Sequence, residues 1–333
     1  IGLQPHALIC RTEMPLDEEV RQKLSLYSNV PVRAVIEASD VEHTIYEVPI
    51  NLHNEGLDDY VCEYLDLPRV EPDLAGWQRF VAQVINPKKR VRIAVVGKYI
   101  ELQDAYKSIY ESLTHAGASL DCGIDLVLTD AEDLEKEGAE KYLRGVAGVL
   151  VPGGFGDRGI EGKIAAAKYA RVTKTPYLGL CLGMQIAVIE FARNVCGLEG
   201  ANSTEFEPET PHPVIHILEG QREVKEKGGS MRLGAWPAVL MENSRAHQIY
   251  GRREISERHR HRYEFNMAYR ELMEGYGLVL SGLSPDGTLC EVIELRDHPW
   301  FLACQFHPEF QSKPTLPHPL FRGFVAACLS LQV

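Results

Sequence analysis

The feature that most constrains the fold is the stretch Pro176–Gln185, in which an apolar run ends at a cysteine between two glycines. The run before Cys181 predicts a buried parallel strand, and the apolar residues after Gln185 predict a helix. Gly179 and Gly183 flank the cysteine at positions where a sharp strand-to-helix turn leaves no room for a Cβ. Free cysteines are often merely buried, but this setting predicts a nucleophile elbow whose thiolate is favoured by the positive end of a helix.

Strands and helices alternate around this elbow. Strands are predicted at Val91–Gly97, Asp125–Leu128, Val146–Val151 and Tyr177–Leu180, and helices at Asp104–His115 (capped by Asp104), Ala131–Leu143 and Ile160–Val172. The alternation predicts an α/β fold, with a mostly parallel sheet and helices on both faces. After residue 200 the pattern is more β-like and ends in a helix; these elements are predicted at Val214–Leu218, Val279–Ser281, Glu291–Leu295, Phe301–Phe306 and Leu320–Leu331.

Residues 1–85 are predicted to form a separate and incomplete α/β segment. Its strands and helices are predicted at Ala7–Cys10, Ala34–Ile36, Leu16–Tyr27 and Leu57–Leu65. These strands are too few to make a stable sheet by themselves. Polar, proline-marked stretches at 68–72 and 86–90 predict linkers, so we expect a division into residues 1–85 and 86–333. Because the chain begins without Met and enters a strand at once, we also expect a fragment of a longer protein.

The composition excludes several classes of function. A net charge of -12 and a pI near 5.5 argue against nucleic acid or an anionic membrane as a partner. The eight cysteines are scattered without a C-x-x-C pair, which predicts a reducing, cytoplasmic setting with no disulfide framework and no metal site. The most apolar stretch, Tyr177–Ala192, is interrupted by Gln185 and Glu190 and is too short to span a bilayer.

His307-Pro308-Glu309 follows the predicted strand Phe301–Phe306 and offers a base for Cys181. Proline biases the preceding residue toward extended backbone, in which side chains at i and i+2 point to the same side. The pattern therefore predicts that Glu309 orients the His307 imidazole and stabilises its cation, as in a triad with a thiol nucleophile. A histidine before proline is often only a turn residue, but its place downstream of the elbow favours catalysis.

A glycine-rich loop, Val151–Gly156, follows another predicted strand at its carboxyl end, where open α/β sheets bind ligands. The backbone N–H groups of Gly154 and Leu182 are predicted to form an oxyanion hole there. Residues 154–159 also match the dinucleotide-binding pattern G-x-G-x-x-G, but no acidic residue stands about 20 positions further on to bind a ribose. A P-loop is excluded as well, because the nearby G-K pair is followed by isoleucine.

The stretch Arg258–Glu264 is rich in arginine and histidine. It is a solvated basic stretch, a phosphate patch or a site for a carboxylate, which the planar fork of arginine suits well. The acidic protein and the lack of interleaved aromatic residues disfavour nucleic acid. We expect this stretch to bind the carboxylate of a substrate amino acid, while Glu205 in Asn202–Phe206 holds its ammonium group.

These motifs together resemble the class I glutamine amidotransferases and, among them, the C-terminal portion of the CTP synthases. The elbow and the His-Pro-Glu sequence are the motifs of the superfamily. The stretches similar to CTP synthases in particular are Gly97–Leu102, Asp104–Lys107, Pro152–Gly156, Asn202–Phe206, Arg258–Glu264 and Cys304–Glu309. The likeness covers essentially the whole chain, since residues 1–85 are similar to the end of a synthetase domain.

The resemblance implies a reaction with L-glutamine. It implies that Cys181 attacks the carboxamide carbon, that His307 protonates the departing ammonia and that Glu309 steadies His307. Gly154 and Leu182 would hold the oxyanion. The residues that the resemblance assigns to glutamine binding are Gly154, Phe155, Leu182, Gly183, Met184, Gln185, Glu205 and Arg262.

For the complete enzyme the resemblance implies that ammonia passes through the protein to ATP-activated UTP, which gives CTP. It also implies Mg²⁺ with ATP, GTP as activator, and a homotetramer. Lys23 matches a UTP-contacting lysine, Val41 matches a residue near the ATP adenine, and Arg158 is expected to couple GTP to the oxyanion hole. The family's phosphate-binding loop and magnesium ligands belong upstream of Ile1, so we expect this chain alone to lack the amination site and to hold no metal.

Two other functions fit parts of the sequence. The triad could serve another amidotransferase or a stand-alone γ-glutamyl hydrolase, although neither needs the arginine–histidine stretch or a synthetase segment. The chain could also be a non-catalytic binding or assembly module. The presence of Cys181, His307 and Glu309 disfavours that last interpretation.

Overall fold

The structure, a computed structural model, describes residues 2–98, 100, 102–154, 156–217 and 232–331. The chain forms two compact units, Ile1–Pro87 and Lys88–Val333, which divide it close to the predicted boundary. Within the described ranges, no helix has both the length and the apolar character needed to cross a membrane.

The first unit is built on a two-stranded parallel sheet. Strands β1 (Leu8–Thr12) and β2 (Val35–Ser39) pair with Leu8 opposite Val35. The helices of this unit are α1 (Glu18–Ser28), α2 (Val48–Asn54), α3 (Leu57–Tyr64) and α4 (Ala75–Ile85). Helices α2 and α4 were not predicted, although the start of α4 does carry a signal, since Oδ1 of Asp73 accepts a hydrogen bond from the N–H of Ala75 at 3.0 Å.

The second unit contains a nine-stranded sheet and a three-stranded sheet. Its strands are β3 (Lys89–Gly97), β4 (Cys122–Asp130), β5 (Gly148–Val151), β6 (Tyr177–Leu180), β7 (Asn202–Ser203), β8 (Pro213–Ile217), β9 (Arg232–Leu240), β10 (Glu254–His261), β11 (Tyr263–Phe265), β12 (Leu278–Leu283), β13 (Cys290–Leu295) and β14 (Phe301–Cys304). Its helices are α5 (Lys107–Ser119), α6 (Ala131–Glu137), α7 (Ala139–Leu143), α8 (Ile160–Thr173), α9 (Leu182–Asn194), α10 (Arg245–Tyr250), α11 (Arg270–Gly275) and α12 (Pro319–Leu331).

The large sheet has the strand order β10-β9-β12-β13-β14-β6-β5-β3-β4. The strands from β14 to β4 run parallel, whereas β13, β12, β9 and β10 add antiparallel partners at the other end. The small sheet has the order β11-β8-β7. Because β5, β6 and β14 are parallel neighbours, their carboxyl ends bring the glycine loop, the elbow and the His307 segment to one edge.

Both faces of the parallel half are buried, as β3 illustrates. Ala94 and Val96 belong to one apolar core together with residues of α8 and α9. Ile93 and Val95 belong to a second core together with residues of α5 and α12. Successive strand residues point to opposite faces, so an uninterrupted apolar run is what a strand covered on both sides needs. The predicted α/β fold with a mostly parallel sheet is confirmed.

Two predicted helices have different boundaries in the structure. The helix predicted over Ala131–Leu143 is two helices, α6 and α7, separated at Gly138, whose φ of 88° is incompatible with a continuous helix. The helix predicted from Asp104 begins at Lys107 instead. The residues before it form a 3-10 turn, so Asp104 is not the cap of α5.

Three further predictions differ at their edges. The linker predicted at 86–90 is wrong for Lys89 and Arg90, which belong to β3 and pair with β4. The strand predicted over Phe301–Phe306 ends at Cys304. The strand predicted over Val214–Leu218 is β8, and Leu218 lies outside the described residues.

Candidate active site

Cys181 alone makes the turn between β6 and α9. Its φ of 50° and ψ of -102° lie in a region that residues with a side chain rarely adopt. A Cβ on Gly183 would lie 2.1 Å from the carbonyl oxygen of Val151, and a Cβ on Gly179 would lie 2.7 Å from the carbonyl oxygen of Gly183. The predicted elbow is present, and close backbone packing is what requires both glycines.

The elbow holds the thiol at the start of a helix and ties it to the neighbouring strand. Cys181 is the N-cap residue of α9, and its side chain is buried. Its N–H donates to the carbonyl of Cys304 at the end of β14, at 2.7 Å. The sulfur therefore lies beside the positive end of α9, where an anion is stabilised.

His307 and Glu309 come together as predicted, but through a different backbone conformation. Nδ1 of His307 lies 2.8 Å from Oε1 of Glu309. His307 has a φ of -114° and a ψ of 80°, and Pro308–Gln311 form a 3-10 turn rather than an extended segment. The His307 N–H donates to the carbonyl of Arg258 at 2.8 Å, which anchors this turn to β10. The turn, not the alternation of an extended chain, places the carboxylate beside the imidazole.

The electrostatic environment of His307 favours its protonated form. Burial by itself would lower the pKa of the imidazole, but the charge of Cys181 and a hydrogen bond with it, together with the hydrogen bond and charge of Glu309, raise that pKa to about 10. At neutral pH the imidazole therefore carries a proton and faces the sulfur. A thiolate–imidazolium pair is the nucleophilic form of a cysteine.

The glycine loop after β5 lies against the side chains of Cys181 and His307. A Cβ on Gly153 would lie 2.9 Å from Cε1 of His307 and 3.5 Å from Cβ of Cys181. A Cβ on Gly154 would lie 3.5 Å from Cδ2 of Leu182. The two residues predicted to form the oxyanion hole, Gly154 and Leu182, are thus neighbours. Phe155, which was predicted to bind glutamine, lies outside the described residues.

A cavity of about 530 Å³ opens beside the sulfur. The predicted site residues that line it are Gly154, Cys181, Leu182, Gln185, Glu205 and Arg262. Two residues predicted to bind glutamine are not among its lining residues. Met184 lies on α9 and is fully buried in the core, and Gly183 packs against the backbone of Val151. The structure adds Gly156, Asp157, Phe206, His261 and Tyr263 to the lining.

Arg262 and Glu205 place opposite charges on this cavity. Arg262 connects β10 to β11, and its Nη2 is buried without a hydrogen-bond partner among the described residues. Burial and the charge of Glu205 raise the pKa of Tyr263, while the charge of Arg262 opposes that rise. Both charges therefore act on Tyr263, which lines the same cavity. An unpaired guanidinium nitrogen and a carboxylate on one cavity suit a zwitterionic amino acid.

The stretch Arg258–Glu264 proves to be strand rather than a basic surface loop. Its residues alternate, with Arg258 and Arg260 exposed and His259 and His261 buried. Alternation with period two was the available signal, but the prediction treated the stretch as one basic patch. Arg262 is the arginine that this strand presents to the cavity.

His261 is a cavity residue that the sequence analysis did not single out. Its side chain is buried. Nδ1 lies 3.3 Å from Oε1 of Glu264 without the geometry of a hydrogen bond, and Nε2 has no hydrogen bond within the described part of the chain. Burial, followed by the neighbouring His259 and Arg232, lowers its pKa well below the usual value. The imidazole is therefore neutral and keeps one donor and one acceptor.

Gln185 is held by its amide nitrogen. Nε2 donates to the carbonyl of Tyr263 at 3.0 Å and to Oε1 of Gln305 at 3.3 Å. Both N–H groups of Gln185 are thus used within the protein. Its Oε1, which can only accept, is the atom left for a ligand.

Arg158 and two lysines lie around the glycine loop. Nε of Arg158 pairs with Glu132 on α6 at 2.9 Å, and its Nη2 donates to the carbonyl of Lys98 at 3.1 Å. Burial, followed by the charge of Lys98, lowers the pKa of Lys163 to about 8. A Cβ on Gly154 would lie 3.9 Å from Nζ of Lys163. Arg158 is not a lining residue of the catalytic cavity.

The two predicted nucleotide residues belong to the first unit. Lys23 lies on α1, is exposed, and pairs with Glu19 one turn away. Val41 lines a separate cavity of about 380 Å³ beside the ends of β1 and β2, together with Ile9 and Ser39. The nucleotide roles of Lys23 and Val41 stay predictions.

Comparison with known proteins bears on both units. The family model described as glutamine amidotransferase class-I matches residues 101–327, and the model described as CTP synthase N-terminus matches residues 1–67. The CTP synthase of Caldanaerobacter subterraneus subsp. tengcongensis is 55% identical over 333 residues, which are 100% of this chain and 62% of that protein. The CTP synthase of Methanocaldococcus jannaschii is 56% identical over an alignment of 339 positions, which covers 100% of this chain and 63% of that protein. The chain thus spans less than two thirds of the length of these relatives.

A solved structure supports the same relationship. The glutaminase domain of Trypanosoma brucei CTPS with bound acivicin is 42% identical, with a TM-score of 0.68, over 72% of this chain and 94% of that one. The resemblance to class I glutamine amidotransferases and CTP synthases that the motifs predicted is confirmed. Since the family model matches well over half of its residues, the chain belongs to the class-I glutamine amidotransferase family.

Proposed function

We propose that this chain hydrolyses L-glutamine with a Cys181–His307–Glu309 triad and that, as part of a CTP synthase, it supplies the ammonia that aminates UTP. One observation carries the proposal. His307 bonds Glu309 through Nδ1 and interacts with Cys181, beside a cavity that also presents Arg262 and Glu205. A nucleophile, a proton donor and an amino-acid site are thus combined.

The acylation step follows from these positions. The Cys181 thiolate attacks the carboxamide carbon, and the electron pair of the C=O bond moves onto oxygen. Backbone N–H groups of Gly154 and Leu182 stabilise this oxyanion. The His307 imidazolium then gives its proton to the carboxamide nitrogen, the C–N bond breaks, and ammonia leaves a glutamyl thioester.

The deacylation step uses the same groups in reverse. Neutral His307 takes a proton from water, and the hydroxide attacks the thioester carbon. The C–S bond breaks with its electron pair going to sulfur, which restores the thiolate and the imidazolium and releases glutamate. Glu309 keeps the imidazole oriented in both steps. The net reaction converts glutamine and water into glutamate and ammonia.

Charge complementarity assigns the ends of the substrate. Arg262, with its unpaired Nη2, binds the α-carboxylate, and Glu205 binds the α-ammonium. Gln185 has only its Oε1 available, so it accepts from an N–H of the substrate rather than contacting the carboxylate. Gly183 has no side chain and the Met184 side chain is buried in the core, so both residues contribute to glutamine binding only through backbone groups.

The activity of the whole enzyme is also part of the proposal. The similarity to CTP synthases supports CTP synthesis as the activity of the whole enzyme. We further propose UTP and ATP as its substrates, GTP as its activator, a homotetramer as its assembly, and Lys23 and Val41 as residues near the nucleotides. Mg²⁺ would accompany ATP, and among the described residues no group of three acidic, histidine or cysteine side chains could hold a metal ion.

The test is a glutaminase assay on the wild-type chain and two cysteine variants. Cys181→Ala is expected to abolish glutamate release while it leaves the fold intact, because a small side chain fits the elbow. Cys196→Ala is the matched control, since Cys196 is half-buried and outside the cavity. Glutaminase activity retained by Cys181→Ala would overturn the proposal.

A covalent probe gives a second readout. Acivicin, which is bound in the Trypanosoma brucei glutaminase domain, should label Cys181 and none of the other seven cysteines of the chain. Peptide mapping by mass spectrometry identifies the labelled residue. Equal labelling of several cysteines, with activity preserved, would contradict the assigned nucleophile.

A further inference from the structure

Gln305 connects the nucleophile to the substrate cavity. It follows β14, lies two residues before His307, and is fully buried. Its N–H donates to the carbonyl of Glu291 at 2.9 Å, which anchors its backbone to β13. Its side-chain Nε2 lies 3.6 Å from Sγ of Cys181. This amide therefore touches the atom that forms and breaks the thioester bond.

The orientation of the Gln305 amide follows from its neighbours. The Tyr263 carbonyl can only accept a hydrogen bond, so the group of Gln185 that faces it must be Nε2. The same Nε2 lies 3.3 Å from Gln305 and requires an acceptor there, which is Oε1 of Gln305. The NH₂ group of Gln305 is then the group left for the sulfur. A thiolate can only accept a hydrogen bond. The amide orientation that the Tyr263 carbonyl requires is therefore also the orientation that suits the sulfur.

We propose that Gln305 is a catalytic residue whose Nε2–H donates to the Cys181 thiolate. A hydrogen bond to an ionised acceptor is stronger than one to a neutral acceptor. The donor therefore favours charged sulfur, which is the form that attacks the carboxamide carbon and the form that returns when the C–S bond of the thioester breaks. Its Oε1 at the same time holds Gln185, so one side chain sets the positions of the nucleophile and of a substrate-binding residue. The catalytic role of Gln305 rests on the proposed function, whereas its contact with the Cys181 sulfur does not.

Gln305→Glu separates the two contacts of this side chain. A glutamate keeps an oxygen that can accept from Gln185, but it has no N–H for sulfur and brings a negative charge toward the thiolate. Gln305→Met, which removes both contacts and keeps a similar volume, is the second variant. Gln248→Glu is the matched control. Gln248 lies on α10, is exposed, donates through its Nε2 to the carbonyl of Asn243, and does not line the cavity beside Cys181.

The measurement is the rate of Cys181 alkylation by iodoacetamide against pH, read at the Cys181 peptide by mass spectrometry. We expect Gln305→Glu to alkylate about tenfold or more slowly than wild type at pH 7 and to recover at high pH, because the thiolate then forms without the donor. Gln305→Met should shift the profile in the same direction by a smaller factor, and Gln248→Glu should match wild type. The far- and near-UV circular dichroism of each variant, compared with wild type, tests whether the fold is kept.

An unchanged alkylation profile in a folded Gln305→Met variant would overturn the inference, even if Gln305→Glu failed to fold. The profile requires no glutamine, so its outcome is independent of the proposed function. If wild type lacked glutaminase activity while the variants still shifted the profile, the proposed function would fail and the contact of Gln305 with the thiolate would stand. If wild type hydrolysed glutamine and the profiles coincided, only the inference would fail.

Discussion

Arg262 presents a guanidinium to the cavity with one nitrogen buried and unpartnered in the described structure. Replacing it by alanine should weaken glutamine binding by about 2–5 kcal/mol, because the substrate carboxylate would then be enclosed without its counter-charge. Arg262→Lys should also bind poorly, since an ammonium does not reproduce a planar fork. The measurement is the glutamine affinity from saturation of the glutaminase rate.

The control for this prediction is Arg252→Lys. Arg252 is exposed in the turn before β10 and is not a lining residue of the catalytic cavity. Its replacement should leave the glutamine affinity within about twofold of wild type, as expected for an exposed surface substitution. An affinity that does not change in either Arg262 variant would remove Arg262 from the binding site.

His307 predicts the pH dependence of the reaction. The pKa of its imidazole is raised to about 10, so the proton needed by the leaving nitrogen is present at neutral pH and is lost as the pH rises through that value. We therefore expect kcat/KM for glutamine to fall on the alkaline side near pH 10. Glu309 contributes to the raised pKa, so Glu309→Gln should move this alkaline limb to lower pH.

The dependence of kcat/KM on pH should be measured from about pH 6 to 11, a range that includes the His307 pKa of about 10. The stability of the protein is monitored at each pH. Lys163 has a lowered pKa of about 8 and lies near the glycine loop, so Lys163→Met provides the control for its titration. The same alkaline limb in wild type and Glu309→Gln would show that Glu309 does not act through His307.

At the scale of elements, α8 and α9 are joined by a buried ion pair. Nε and Nη2 of Arg171 bond the two carboxylate oxygens of Glu190 at 2.8 and 2.7 Å, and the Glu190 side chain is only 1% exposed. Arg171→Ala should lower the free energy of unfolding by about 3–5 kcal/mol, because it leaves a buried carboxylate unpaired. Urea unfolding measures this loss.

An exposed pair of the same type is the control. Arg144 and Glu140 are paired across one helical turn with side chains 83% and 66% exposed, so Arg144→Ala should cost less than about 1 kcal/mol. Replacing both members of the buried pair, as Arg171→Met with Glu190→Leu, should recover most of the stability. Equal losses for Arg171→Ala and Arg144→Ala would show that burial does not decide the strength of these pairs.

Arg158 links three elements near the oxyanion glycines. It bonds Glu132 on α6 and the carbonyl of Lys98 after β3, and it lies in the loop after β5. We propose that GTP acts through this arginine, so Arg158→Ala should lower the ratio of GTP-stimulated to unstimulated glutamine hydrolysis. Lys141→Ala is the control, because Lys141 is an exposed cation on α7 that pairs with Glu137 instead of Glu132. Full stimulation in Arg158→Ala would count against the role.

At the scale of the whole molecule, the nitrogen donor distinguishes the two halves of the proposed reaction. Ammonia added as a salt bypasses glutamine hydrolysis, so Cys181→Ala should lose CTP formation from glutamine and keep whatever CTP formation wild type shows from ammonia. The measurement is CTP formed from UTP and ATP with each donor. Loss of both activities in a folded Cys181→Ala variant would show that Cys181 serves more than the nitrogen supply.

The sequence alone predicted the elements whose causes are local. The elbow follows from Gly179 and Gly183, because the clash of a Cβ with nearby backbone is already implied by a strand that turns directly into a helix. The alternating apolar runs predicted the parallel sheet because a strand covered on both faces needs apolar side chains on both. His307 and Glu309 are two residues apart, so their contact depends on one turn.

Only the tertiary structure decided the contacts between distant strands. Gln305 meets Cys181 because β14 pairs with β6, and His261 reaches the cavity because β10 alternates buried and exposed residues. Both positions lie in stretches that the sequence motifs mark, Cys304–Glu309 and Arg258–Glu264, but the residue type alone does not predict their burial, since glutamine is mostly exposed in proteins and histidine is intermediate. Their burial depends on which strands become neighbours, and that is set by packing of the complete sheet. The sequence therefore determined the reacting groups, and the assembled sheet determined the polar residues that surround them.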